Sequence, residues 1–275
     1  MLTGIDIHAR YQKGIQPTTM PNVNFVITKT TGGKDFVVSG WQNMIQGIDL
    51  VGVYHYAQEK GDAGTPQEEA LNFISQAKLA PKNAILVLDW EEGTSPSLGD
   101  PNWVLEWMSI VEKELGRKPL FYTYHATLLK YPALAKVYEA GYKLWYARYP
   151  YSTPQGWVSW KAPTNVPYWT SPTMWQYSSA GGVPGWSGGL DLNIFYGTKD
   201  DWLSLGQSTT TGTVKEKLTP TFTLPAAYKQ SFTHNGETYI VNNLSGTYYK
   251  TTADTTGIPS LGNVENPTYL GIGVQ

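Results

Sequence analysis

The chain has 275 residues and a formal net charge of −2, with only 15% of its residues charged, against about a quarter in ordinary globular domains. That balance gives no support to nucleic-acid or anionic-membrane binding, and no apolar run approaches the roughly 20 residues of a transmembrane span. There is no cysteine, which excludes disulfides, thiolate nucleophiles and cysteine metal sites together.

A 41% hydrophobic chain of this length suffices for one barrel, or for a large domain with a small one. Its outlying feature is aromatic: 11 Trp and 19 Tyr. Rings in such number line carbohydrate sites, where they stack on apolar sugar faces, although many must also serve as core and rim. Met1-Leu2-Thr3-Gly4 runs directly into a strand, with no charged and apolar leader before it. That start and the absence of cysteine suit a protein made in a reducing cytoplasm; if it acts outside the cell, it leaves by lysis or another non-secretory route, or a signal has been removed.

Leu2 to Ile7 reads as a first strand, interrupted by Asp6, an acid that a buried strand does not tolerate unpaired. Asn24 to Lys29 is a second strand, and Phe36 to Ile48 is predicted helical, weakened by Gly40. Leu50 to Tyr56 is a third strand. Thr65-Pro66-Gln67-Glu68 is a helix start, with cap, first-turn proline and capping-box glutamate; the helix is expected to bury Leu71, Phe73, Ile74 and Ala77.

Ala84-Ile85-Leu86-Val87-Leu88 then forms an apolar run that ends in Asp89-Trp90-Glu91. It reads as a strand buried on both faces, with Asp89 and Glu91 on one side and Trp90 on the other, the two acids roughly 6–7 Å apart at the Cα atoms. Paired acids at the carboxyl end of such a strand sit where α/β enzymes place their chemistry; the plain alternative is that they solvate the loop.

Asp100-Pro101 opens a helix with Trp103, Trp107, Ile110 and Val111 on one face, and Gly116 is placed to end it. Leu120 to Tyr124 is a fifth strand, followed by a helical stretch from Ala126 to Ala140 broken at Pro132. Lys143–Tyr149, Met174–Tyr177 and Leu190–Phe195 complete eight strands, and Pro150 to Pro172 reads as a long irregular loop. The fold class is α/β, an irregular (β/α) TIM-like barrel over residues 1–205. A polar linker follows at 206–218, then a small all-β module at 219–275 with a hairpin signal at Asn235-Gly236.

The acids Asp6, Asp89, Glu91 and Asp191 all fall at strand ends. With Gly4-Ile5-Asp6, Phe25–Lys29, Gly52–Tyr56, Leu88–Glu91, Phe121-Tyr122-Thr123, Leu144–Tyr149, Trp175-Gln176-Tyr177 and Leu190–Asn193 in that order, residues 1 to about 203 resemble the glycoside hydrolase family 25 lysozymes. The resemblance implies cleavage of the β-1,4 bond between N-acetylmuramic acid and N-acetylglucosamine in bacterial peptidoglycan, without cofactor or metal and without a nucleic-acid or membrane partner. It implies Glu91 as general acid and Asp89 as the neighbouring carboxylate, nucleophile or stabiliser. Asp6 and Asp191 match flanking acids, and Lys29, Tyr54, Tyr122, Trp145 and Gln176 match groups that line the sugar groove. Two positions depart from the pattern: His8 stands where many members have serine, and Gly32 where a glutamate is common.

The small module resembles, more loosely, the SH3-like wall-binding domains of phage lysins, which points to an endolysin. Tyr239, Tyr248, Tyr249 and Tyr269 either read a wall polymer or form its core. Competing readings are a chitinase-like hydrolase, a non-catalytic sugar-binding barrel, and a metal site built from Asp89, Glu91, Asp191 and Asn193. The four histidines, His8, His55, His125 and His234, show no ligand spacing, and His55 reads as a structural group.

Overall fold

A computed structural model describes residues 1–91 and 100–207, together with the strand residues 228–234, 237–242, 247–250 and 260–263. The chain divides into two compact units, Met1–Thr211 and Gly212–Gln275.

In the first unit the described strands are β1 (Leu2–Ile7), β2 (Phe25–Gly32), β3 (Phe36–Val37), β4 (Leu50–Tyr56), β5 (Ile85–Asp89), β6 (Leu120–Tyr124), β7 (Leu144–Ala147), β8 (Met174–Gly181) and β9 (Leu190–Phe195). Eight of them close a barrel in the order β1-β2-β4-β5-β6-β7-β8-β9 and back to β1, while β3 folds onto β2 as a short hairpin. All eight expected strands are present at their expected places. Neighbours from β1 round to β8 run parallel, but β9 is antiparallel to both β8 and β1. Only residues 182–189 join β8 to β9, too few for the helical crossover that a parallel pair requires.

The helices are α1 (Pro66–Ala77), α2 (Pro101–Leu115), α3 (His125–Lys130), α4 (Ala135–Glu139) and α5 (Lys199–Gly206). Thr65 and Glu68 cap α1 reciprocally, and Gly116 ends α2 at a left-handed φ of 67°. Two sequence expectations fail. Phe36 to Ile48 is not a helix but the short β3, a left-handed Gly40 (φ 76°) and a 3-10 turn at Trp41–Ile45. There Phe36 and Val37 pair with Gly32 and Thr31 of β2 and the Val38 N–H donates to the Thr30 carbonyl, so the backbone is spent on the sheet edge, and the Asp62 and Asn72 side chains hold this turn in place. Leu71 is 51% exposed, because the buried stripe of α1 is Ala70, Phe73, Ile74 and Ala77, at spacings of three and four that leave residue 71 outside.

Two apolar layers result. One packs the outer strand faces against the helices and contains Trp90, Trp107 and Phe121. The other fills the barrel with Phe25, Ile27, Leu50, Ile85, Val87 and Leu120, and Trp202 of α5 closes its floor, with ring centroids 4.5 Å from Phe25 and 5.2 Å from Phe195. Gly206 lets α5 seat, since a Cβ there would lie 1.9 Å from the Asn83 carbonyl oxygen. Toward the other end, the inward positions turn polar at period two. Val87 gives way to Asp89 on β5, Met174 to Gln176 on β8, and Phe195 to Asn193 and Asp191 along β9 read backwards. The barrel is thus oily at the floor and acidic at the mouth.

In the second unit β10 (Tyr228–His234), β11 (Glu237–Asn242), β12 (Thr247–Lys250) and β13 (Ser260–Asn263) form a sheet in the order β12-β11-β10-β13. β10 and β11 are antiparallel with His234 opposite Glu237, the pairing expected around Asn235-Gly236, and β13 joins β10 in parallel. Most of the expected linker, from residue 208, lies outside the described residues, as do Tyr269 and the side chains of Tyr248 and Tyr249; Tyr239 is half-buried.

Candidate active site

The mouth of the barrel holds a small pocket of about 140 Å³, lined by Asp6, Tyr54, Asp89, Glu91, Tyr122, Tyr124, Trp145, Tyr149, Gln176, Ser179 and Asp191. Strand register explains the convergence. Asp6 of β1 lies opposite Asp191 of β9, Asp89 of β5 lies between Tyr56 of β4 and Tyr122 of β6, and Glu91 follows two residues beyond Asp89. Trp90 is fully buried in the outer layer, so Asp89 and Trp90 do face opposite ways.

Asp6 is held by a chain of amides and rings. Its Oδ2 accepts from Gln176 Nε2 at 2.9 Å and Asn193 Nδ2 at 2.7 Å. Gln176 Oε1 in turn accepts from the hydroxyls of Tyr122 (2.9 Å) and Tyr149 (2.5 Å), and Asn193 Oδ1 accepts from Trp145 Nε1 (2.8 Å). Tyr122 is therefore committed to Gln176, Trp145 to Asn193, and both amides to Asp6. Glu91 is hydrogen-bonded to Tyr124 and to Asp89. Asp89 is buried, and its Oδ1 has no hydrogen-bond partner.

Four carboxyls so placed cannot all ionise. Burial pushes Asp6 up to about 6, against the hydrogen bonds from Asn193 and Gln176. Burial, then the charges of Asp6 and Glu91, push Asp191 to about 9. Asp89 is raised well above the carboxylate range by burial and then by Glu91, and Glu91 is raised by burial, with its bonds to Tyr124 and Asp89 opposing. The pocket retains protons at neutral pH, which is what a general acid requires.

Lys29 is not in this pocket. Its ammonium pairs with the Glu59 carboxylate at 2.5 Å and lies over the rings of Tyr56 (4.5 Å) and Phe36 (5.4 Å), in a neighbouring hollow of about 340 Å³ that also reaches Tyr54, Asp89, Glu91 and Asp191. The remaining residues expected at the site come together. Sequence reasoning missed Tyr124, Tyr149, Ser179 and Glu59. Tyr124 carried a signal, two residues after Tyr122 on the same strand, whereas Glu59 arrives from the loop after β4 and carried none. Gly32 explains Glu59's seat: a Cβ at residue 32 would lie 2.4 Å from its Oε2. Among the described residues no group of three or more His, Asp or Glu side chains is arranged to hold a metal ion. Nor is any described helix long and apolar enough to cross a membrane.

Comparison with known proteins bears on this geometry. YegX of Escherichia coli K12, an uncharacterized protein, is 28% identical over 189 residues, which are 65% of this chain and 61% of YegX; the chain thus spans about three-fifths of that relative. The bacterial lysozyme of Streptomyces coelicolor superposes with a TM-score of 0.61 at 22% identity, over 74% of this chain and 96% of that one. The catalytic domain of endolysin ply40, from bacteriophage P40 of Listeria monocytogenes, gives 0.54 at 21% identity, over 75% and 97%. The two structural likenesses are to a shared barrel. The family model of the glycosyl hydrolases family 25 matches residues 5–186, which carry Asp6, Asp89 and Glu91, and the chain belongs to that family.

Proposed function

We propose that the chain is a muramidase that cleaves the β-1,4 bond between N-acetylmuramic acid and N-acetylglucosamine in bacterial peptidoglycan. The observation that carries this reading is the hydrogen-bonded pair Asp89 and Glu91 in a pocket where crowding and burial hold protons. Glycoside cleavage needs a proton delivered to the leaving oxygen and negative charge near the oxocarbenium-like ring. Glu91, less buried than Asp89 and beyond the strand end, is the group placed to reach the leaving oxygen. In the empty pocket the deeper Asp89 draws the shared proton. Positive charge developing on the sugar favours ionised Asp89 and leaves the proton on Glu91 for delivery. Whether Asp89 then bonds to the sugar or stabilises an acetamido-assisted intermediate, its charge is needed in the same place.

Asp6 and Asp191 keep the pocket acidic, Tyr122, Trp145 and Gln176 fix Asp6, and Tyr54 and Lys29 line the groove wall. The second unit is read as an SH3-like wall-binding module, and the whole as a phage-type endolysin that acts on the wall after release from the cell that made it. Mass spectrometry of digested walls tests the assignment: new reducing N-acetylmuramic acid ends are expected. New reducing N-acetylglucosamine ends would mean a chitinase-like specificity, and freed peptides with intact glycan would remove the glycosidase reading altogether. A chain ending near Gln207 is expected to cleave soluble glycan while binding whole cells less well.

A further inference from the structure

The acid pocket is only the inner end of a longer groove. The hollow beside it continues into a third, of about 500 Å³, bounded by Arg10, Tyr11, Lys29, Phe36, Lys60 and Asp62. His8, Tyr11, Lys29 and Glu59 line both outer hollows, so the three are continuous. This outer end is built rather than loose. Glu69 accepts from the backbone N–H groups of Gln58 and Gly64 (2.8 Å each), which fixes the loop that carries Glu59, Lys60 and Asp62, and Asp62 fixes residues 35 and 36 across the groove.

The charges along this groove are unevenly spent. Of the acids at the outer end, Glu59 is paired with Lys29 and Asp62 is bonded to backbone, which leaves Asp35 exposed. Arg10 and Lys60 are exposed, and among the described residues no carboxylate pairs with either; Arg10 lies over the Tyr11 ring at 5.9 Å. His8 is held down to about 4 by burial and by Lys29, so it is neutral there at neutral pH. Tyr11 and Phe36 present rings 69% and 39% exposed on the rim. The inner end is therefore strongly acidic, while the outer end offers two free cations beside aromatic faces.

We propose that this outer end, between Arg10, Tyr11, Phe36 and Lys60, binds a further unit of the glycan strand through its carboxylate-bearing side group. The proposal rests on the muramidase reading of the inner pocket. A peptidoglycan strand carries such a group on alternate sugars, as the lactyl carboxylate or as the peptide attached to it. Arg10 and Lys60 attract it at the outer end, whereas the inner pocket offers it no cation, so the placement of these two charges sets which way the strand lies.

The test compares the full-length protein with the double variant Arg10→Ala/Lys60→Ala on two soluble substrates: glycan strands with their stem peptides, and strands from which an amidase has removed them to leave the lactyl carboxylate. The variant is expected to raise KM about three- to tenfold with kcat unchanged, and the difference should shrink at high salt. A loss confined to stem-bearing strands assigns the contact to peptide carboxylates; an equal loss on both assigns it to the lactyl group. Unchanged KM on both substrates overturns the proposal, and so does a loss that salt does not diminish. Arg10→Glu/Lys60→Glu should exaggerate the effect, with circular dichroism confirming the fold. If the wild-type protein cleaves neither strand, the muramidase reading fails. Calorimetric titration of both proteins with a soluble disaccharide-peptide then still tests the groove: weaker, less salt-dependent binding by the double variant supports it, and equal binding overturns it.

Discussion

Strands β4 and β5 are neighbours, and each adjoins a buried acid cluster, yet the two clusters are built on opposite principles. On the outer face of β4, Glu69 accepts at Oε2 from His55 Nε2 (2.9 Å) and the Gln58 N–H (2.8 Å), and at Oε1 from the Gly64 N–H (2.8 Å) and Gln58 Nε2 (3.3 Å). His55 Nδ1 meets the Thr31 hydroxyl at 2.8 Å, and its ring stacks on Trp107. Every polar atom of that fully buried pair is matched. At the end of β5, Asp89 faces other acids and leaves Oδ1 without a partner. A buried acid surrounded by donors holds a loop; one surrounded by acids holds a proton. Position after a strand tyrosine already marked His55 as structural, and its two bonded ring nitrogens agree with that.

The largest effect should separate the clusters by activity. Glu91→Gln keeps shape but cannot deliver a proton, so the rate is expected to fall by about 10²- to 10⁴-fold with the melting temperature intact. Asp89→Asn should be similarly severe in rate, because the amide cannot supply the negative charge that the developing oxocarbenium needs, and close to neutral in melting, because a neutral amide replaces a carboxyl that holds its proton. Near-normal turnover by either variant would break the comparison at its functional end.

At the structural end, Glu69→Ala should cost about 3–5 kcal/mol of stability, since it strands the donors of His55, Gln58 and Gly64 in the interior. Gln58 sits at a left-handed φ of 56° within the same loop, so the loop should loosen as well. Denaturant melts measure the loss. Activity per folded molecule should fall far less than in Glu91→Gln, and a stable but inactive Glu69→Ala would move this cluster into the catalytic machinery.

Much of this was legible in the sequence, for an identifiable reason. The alternation Ile85, Val87, Asp89 is local, so strand, face and acid could be read together, and the capping residues of α1 and α2 are local as well. What escaped depended on partners distant in sequence. The antiparallel sense of β9 follows from a connection length that reads as loop either way. The 36–48 segment is apolar enough for a helix, but its first residues pair with the end of β2. Glu59 reaches Lys29 across 30 residues, through space that only Gly32 leaves open. Leu71 was misjudged on hydrophobicity where the helical period should have decided.

The smallest effect is one of pH. Asp191 has a folded pKa of about 9 against an ordinary 3.8, so the folded chain holds its proton where the unfolded chain has released it. Its contribution to stability is then fully present below about pH 4 and is lost as pH rises toward about 9. His55 works the other way. Burial lowers its pKa, so the unfolded chain takes up a proton first and stability falls as pH drops below about 6.5. His55 therefore only offsets the acid pocket below about pH 6.5, and wild-type melting temperature should fall along one upper limb from there toward about pH 9, with the acid pocket governing it. Asp191→Asn removes one raised carboxyl and should flatten the upper limb by a few degrees. Calorimetric melts of the two proteins from about pH 5 to about pH 9 decide it. Parallel upper limbs would mean that Asp191 ionises at an ordinary pH and that the pocket is less crowded with charge than its geometry requires.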